Sequence, residues 1–152
     1  MGLRRFAFGA TAAIMTSMAV IVGLGSANSG KASIVAGLLI IGIADNLSDT
    51  LGIHVHEESE SRGTVPLSLS VSNYATRLLV VCSFVLLVLL LPLGAARVTS
   101  LVWGVVLLSV LTYFIAMGRS AKPAPEIVKH LLVAAAVLGL SQLIGLVITR
   151  MP

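Results

Sequence analysis

Charge is scarce in this sequence. Asp, Glu, Lys and Arg make up 11% of 152 residues, against about a quarter in an ordinary soluble domain. The few charges are also clustered, which leaves long uncharged runs and excludes a normal soluble surface. Cysteine is nearly absent: Cys82 stands alone in the apolar run 78–91. That count excludes a disulfide framework and a CxxC redox or zinc site, and Cys82 reads as a small hydrophobe. Walker, nucleophile-elbow and HExxH zincin patterns are missing, so no enzyme activity and no bound cofactor are expected. There is no internal repeat, no low-complexity tract and no connecting segment long enough for a second domain.

What the sequence does have is apolar length. Hydrophobic residues make up 57% and concentrate in five segments, about 6–24, 32–53, 78–96, 101–118 and 127–148. Each approaches the ~20 residues that a helix needs to cross the hydrocarbon core, where a helix is favoured because it satisfies its own backbone hydrogen bonds. The expected fold is all-α: one polytopic transmembrane domain over 1–152 with five spans and the lipid bilayer as its solvent. The first segment follows Arg4-Arg5 and precedes Gly25-Ser26-Ala27, as a signal peptide would. Its apolar part is longer than the usual ~7–15-residue core of such a peptide, so it is read as a span.

Polar stretches at 26–31, 54–77, 97–100 and 119–126 separate the segments. Pro123 and Pro125 break the last linker, and Pro92 is expected to kink or thin the third span. Trp103 and Tyr113 are expected near the two interfaces of the fourth span. Ser141 and Gln142 in the fifth are candidates for hydrogen-bonded helix contacts. With the N-terminus inside, seven basic residues fall on the inner side (Arg4, Arg5, Arg62, Arg77, Arg119, Lys122, Lys129) and three outside (Lys31, Arg97, Arg150). That bias favours a cytoplasmic N-terminus and a C-terminus outside. The net charge of +4 is thereby explained by residues flanking spans, and no nucleic-acid partner is expected. Short loops without sorting signals suit a prokaryotic inner membrane.

The chemistry concentrates in 42–52, Gly-Ile-Ala-Asp-Asn-Leu-Ser-Asp-Thr-Leu-Gly. Asp45 and Asp49 lie inside the second span four residues apart, on one helical face and separated by about 6 Å along the axis. A carboxylate at membrane depth is costly and is normally buried in protein, paired, or turned to an aqueous cavity. Desolvation and mutual repulsion both disfavour two bare charges, so the pair is expected to take up a proton or a cation. Asn46 and Ser48 flank it with further oxygen atoms, and oxygen ligands suit Mg²⁺, Mn²⁺ and Fe²⁺. The alternative is a polar network that only holds helices together. Beyond the span, His54, His56, Glu57, Glu58 and Glu60 place His54 opposite Glu58 and His56 opposite Glu60 at i,i+4 spacing. This is a cluster that attracts metal ions at a cytoplasmic mouth, or simply a solvated helix end. In the first span Met15 and Met18 share a face; thioethers bind soft ions, though Met among small residues more often serves packing.

The order of segments resembles the vacuolar iron transporter family. Leu3-Arg4-Arg5-Phe6-Ala7-Phe8-Gly9-Ala10, followed by Ile14-Met15-Thr16, is similar to that family's start, L-R-D-x-x-x-G-A-N-D-G-I-V-T. Ala44-Asp45-Asn46-Leu47-Ser48 with Leu51-Gly52 resembles its A-D-x-L-S-M-x-L-G-E-Y segment. Weaker matches fall at Leu91-Pro92-Leu93 and in 118–145. The resemblance implies a five-span homodimer that moves Fe²⁺ or Mn²⁺, typically against protons. The chain departs from the family where metal is held: the first-span Asp aligns with Ala12, the second-span Met with Asp49 and the following Glu with Ile53. The family's large cytoplasmic metal-binding helical domain is also absent. Exchanging a soft ligand for the Asp49 carboxylate implies a preference for harder cations or protons, with two copies of Asp45 and Asp49 facing across a two-fold axis. A scaffold or regulatory relative that no longer transports, and a passive cation channel, are the alternatives.

Overall fold

The computed structural model describes the backbone of residues 2–60 and 67–151 and the side chains of 9–52, 54–56, 58, 59 and 71–151. Among the described residues all regular structure is helical. Helix α1 (Gly2–Ser26) is followed by α2 (Lys31–Ile40), a π-helical turn (Ile41–Asp45) and α3 (Asn46–Glu60), which together make one continuous rod. Then come α4 (Leu67–Leu90), α5 (Leu93–Gly118) and α6 (Pro123–Ile148). Five of these units are long and apolar enough to cross a membrane, as the composition requires.

The turns follow from local chemistry. Helix α1 ends in a Schellman motif, with Ser29 N–H donating to the Leu24 carbonyl (3.0 Å), Asn28 N–H to Gly25 (3.3 Å), and Asn28 in the left-handed region at φ 55°. Asn tolerates that conformation better than most residues. Helix α5 closes the same way, with Ala121 N–H on Ala116 (3.0 Å), Ser120 N–H on Met117 (3.2 Å) and Ser120 at φ 55°, and Pro123 then opens α6 at its first turn.

Three expectations about boundaries are corrected. The third span does not run over 78–96: α4 begins at Leu67 and stops at Leu90. Pro92 neither kinks nor thins it, because Pro92 is the N-cap of α5 and its carbonyl accepts from Ala96 N–H at 2.8 Å. Lacking an N–H, Pro92 cannot continue α4. The polar stretch 97–100 is therefore helix, not turn. Ser100 there is fully buried, and the Arg97 side chain lies against Gly25, where a Cβ would stand 2.7 Å from Nε. Extending α5 also moves Trp103 ten residues into the span, about 15 Å from its start. There its indole Nε1 donates to Ser83 Oγ at 3.0 Å.

Helix α1 is the centre of the bundle, packed against α2, α4, α5 and α6. The apolar core gathers around it: Ile14, Met18 and Ile21 meet Ile34 and Leu38 of α2, Phe84 and Val88 of α4, and Leu108 of α5. Close approach relies on small residues. The buried stripe of α5 is Ala96, Ser100, Gly104, Leu108, Thr112 and Ala116 at strict four-residue spacing, the ridge that lets membrane helices approach closely. A Cβ on Gly104 would run into the Met18 sulfur, and one on Gly145 of α6 into the Gly23 carbonyl of α1. Met18 is thus a core residue turned to α5, with Met15 half-buried beside it.

Candidate cation site

Along the α2–α3 rod the buried residues are Ile34, Leu38, Gly42, Asn46 and Thr50, again four apart. A straight α-helix turns such a stripe by about 40° per step, a drift that α5 accommodates at the same spacing with no distortion. In the rod, the π-helical turn at Ile41–Asp45 has more residues per turn and reduces that drift, and one face stays against α4. At this turn Gly42 lies on Val81, where a Cβ would stand 2.9 Å from Cγ1. The turn ends at Asp45, so the distortion and the acidic pair coincide.

On the α4 side stands Arg77, which the sequence reading placed among the loop charges. Its side chain is only 3% exposed. Its guanidinium Nη1 donates to Asp49 Oδ2 at 2.5 Å, and Nη2 lies 3.7 Å from Asp45 Oδ2. The two carboxylates themselves remain 51% and 43% exposed on the outer face of the chain. Both fall within Lys31–His56, a stretch long and apolar enough to cross a membrane, with Asp45 about 16 Å from its His56 end. The pair is therefore held from the protein side by one cation and open on the other.

Around Arg77 is a layer of buried polar side chains. Asn46 is 1% exposed and donates from Nδ2 to the Tyr74 carbonyl (2.9 Å) and the Gly42 carbonyl (3.3 Å). This ties the π-turn to α4. Its Oδ1 has no donor among the described residues, nor does Arg77 Nε have an acceptor; Thr50 Oγ1 and both amide atoms of Asn73 are likewise unpaired. Asn73 precedes Arg77 by one turn and packs on Gly9 of α1. A Cβ on Gly9 would collide with Asn73 Oδ1 and lie 3.1 Å from Arg77 Cγ. So Gly9 makes the room in which Asn73 and the Arg77 stem sit. Buried polar atoms without partners are few in native proteins and call for an explanation; five of them here lie on two neighbouring helices, α3 and α4.

The remaining sequence candidates are dispersed. Ser48 is exposed and returns its hydroxyl to the Ala44 carbonyl at 2.9 Å, so it adds no oxygen to Arg77. His54 Nε2 meets Glu58 at 3.3 Å, the expected i,i+4 pair. His56 is exposed, and its carbonyl accepts from Ser59 Oγ. The side chains of Glu57 and Glu60 lie outside the described residues. Among those described, no three His, Cys, Asp or Glu side chains are grouped to hold a metal ion. Sequence reasoning missed Arg77, Asn73 and Thr50 as members of the site. The available signal was the Asn73–Arg77 pair at i,i+4 just ahead of an apolar run, facing Asp45 and Asp49 across a hairpin. No family model matches the chain, and neither the curated proteins nor the solved structures hold a match to it.

Proposed function

We propose that the chain belongs to the class of small membrane transporters and that its cargo is a divalent cation of the Fe²⁺ or Mn²⁺ kind, exchanged against protons. The observation that carries this reading is the acidic pair: two carboxylates inside a span, at a π-helical turn, half exposed on one face of the protomer. A charge facing hydrocarbon is strongly disfavoured, so that face requires a covering. A second copy of the chain supplies one, and a homodimer sets two copies of Asp45 and Asp49 across an aqueous path. The vacuolar iron transporter resemblance points to the same arrangement. With Arg77 and Arg97 inside helices, the basic residues outside the spans still favour a cytoplasmic N-terminus. Lys31 and Lys129 also fall within the apolar stretches, so Arg4, Arg5, Arg62, Arg119 and Lys122 stand against Arg150. A prokaryotic inner membrane remains the proposed location.

Uptake of Mn²⁺ and Fe²⁺ into proteoliposomes, with and without a pH gradient, tests the proposal. Gradient-driven uptake is expected for the wild type and a loss of at least ~10-fold for Asp49→Asn, since the site then lacks one of its two charges. Uptake that ignores the gradient would indicate a channel. A specific observation favours a second reading: Arg77 already links α4 to both acids, as a purely structural ion pair would. Under that reading no ion moves, and Asp49→Asn changes only stability.

A further inference from the structure

We infer that Arg77 is a tethered counter-cation that occupies the ion's place, so that pairing with Arg77 and loading of Asp45 and Asp49 exclude one another. This rests on the cation-site reading above and adds a gating residue to it. The geometry supplies the competition. Arg77 engages Oδ2 of both acids, at 2.5 Å to Asp49 and 3.7 Å to Asp45, and an ion bridging the pair would draw on those oxygens. The charges agree. Two carboxylates and one guanidinium leave one negative charge, whereas a divalent ion added beside an unmoved Arg77 would leave one positive charge in a low-dielectric layer.

The surroundings supply a second position for the guanidinium. Asn46 and Asn73 are 1% and 5% exposed, and their Oδ1 atoms are buried acceptors without donors, while Arg77 Nε is a buried donor without an acceptor. Withdrawal from Asp49 toward α1 brings the guanidinium to the asparagine layer, and charge-assisted hydrogen bonds to those oxygens offset the pairing it gives up. Gly9 lets both groups sit together on this side, because Asn73 and the Arg77 stem take the space that a Cβ would fill. The ion, meanwhile, approaches from the opposite, exposed side of the carboxylates. Arg77 thus resets the site once the ion leaves, holding the acids compensated between cycles.

The test is Mn²⁺ binding by the full chain in lipid nanodiscs, measured by equilibrium dialysis. Arg77→Gln is expected to tighten binding at least ~10-fold by removing the competing charge. Because that variant leaves two uncompensated acids, Asp45→Asn combined with Arg77→Gln is measured beside it. The double variant keeps the wild-type net charge of the site and is expected to bind Mn²⁺ more tightly than Asp45→Asn alone. Asn73→Leu is expected to weaken Mn²⁺ binding when Arg77 is present and to have no effect when it is Gln, since only a displaced Arg77 uses that oxygen. Binding left unchanged or weakened by Arg77→Gln and by the double variant, or an Asn73→Leu effect equal in both backgrounds, overturns the inference. Tighter Mn²⁺ binding by the Arg77 variants in a protein that shows no uptake leaves the inference standing and removes the transport reading. Affinities insensitive to Asp49→Asn remove both.

Discussion

The two halves of this bundle are held together by different means. Around the later part of α1 the helices meet through dry contacts: Met18 on Gly104, Ile21 among Ile34 and Leu38, Phe84 and Val88 filling the space behind. Around Gly9, near the start of α1, the same helix faces Asn73 and Arg77, and α3 adds Asp45, Asn46, Asp49 and Thr50. Lipid tails are as apolar as the core, so association in a membrane depends on close packing and on hydrogen bonds rather than on water exclusion. The dry half meets that need with small residues. The polar half goes further, with five buried polar atoms unpaired among the described residues, against Ser17 Oγ, Ser100 Oγ and Arg97 Nε elsewhere.

The comparison breaks first at Arg77. Replacing it with Ala leaves two half-exposed carboxylates without their cation and empties the space its buried stem fills, and the loss is expected to exceed about 1 kcal/mol. Asp49→Asn is expected to cost less, because an amide oxygen at that position can still accept from Arg77 and Asp45 still stands 3.7 Å from the guanidinium. Unfolding of the purified protein in detergent micelles measures both. An equal cost for the two variants would mean that the ion pair holds α3 to α4 symmetrically and that the polar half is as structural as the dry one.

An intermediate effect is expected in the dry half. Gly104→Leu places a branched side chain where the Met18 sulfur already sits, and overpacking of this kind costs about 1–3 kcal/mol. Met18→Ala in the same chain is expected to return part of that loss, because the two positions share one space. Mn²⁺ uptake per folded molecule should be unchanged, since α1 meets the acidic layer at Gly9 and not at Met18.

These contrasts also mark how far the sequence could be read. Five spans and the shared face of Asp45 and Asp49 were legible because both are periodic: apolar length sets the first and four-residue spacing the second. The third and fourth spans were misplaced because hydropathy scores Arg97, Thr99 and Ser100 as loop residues wherever they stand. In the fold, Arg97 finds cover at Gly25 and Ser100 inside the bundle. Arg77 was assigned to a loop for the same reason. Its burial depends on two carboxylates 28 and 32 residues earlier, a non-local relation that no window along the chain registers. The π-helical turn has no local signature either. It lies within the buried stripe Ile34, Leu38, Gly42, Asn46 and Thr50, and α5 carries a stripe of the same spacing without such a turn, so the spacing alone does not announce it.

The smallest expected effect separates the halves most cleanly. Ser17 is fully buried and its hydroxyl has no partner among the described residues, so in isolation it resembles Asn73. It lies on α1 next to Met18, in the apolar half. Ser17→Ala removes an unsatisfied polar atom and little volume, and such replacements are nearly neutral or slightly stabilising. Its unfolding free energy is expected to lie within about 0.5 kcal/mol of the wild type or above it, with Mn²⁺ uptake unaltered. A Ser17→Ala chain that keeps its stability but loses uptake would carry the ion path up the length of α1, past Met15 and Met18. The first-span methionines would then have to be read as part of the path rather than as packing.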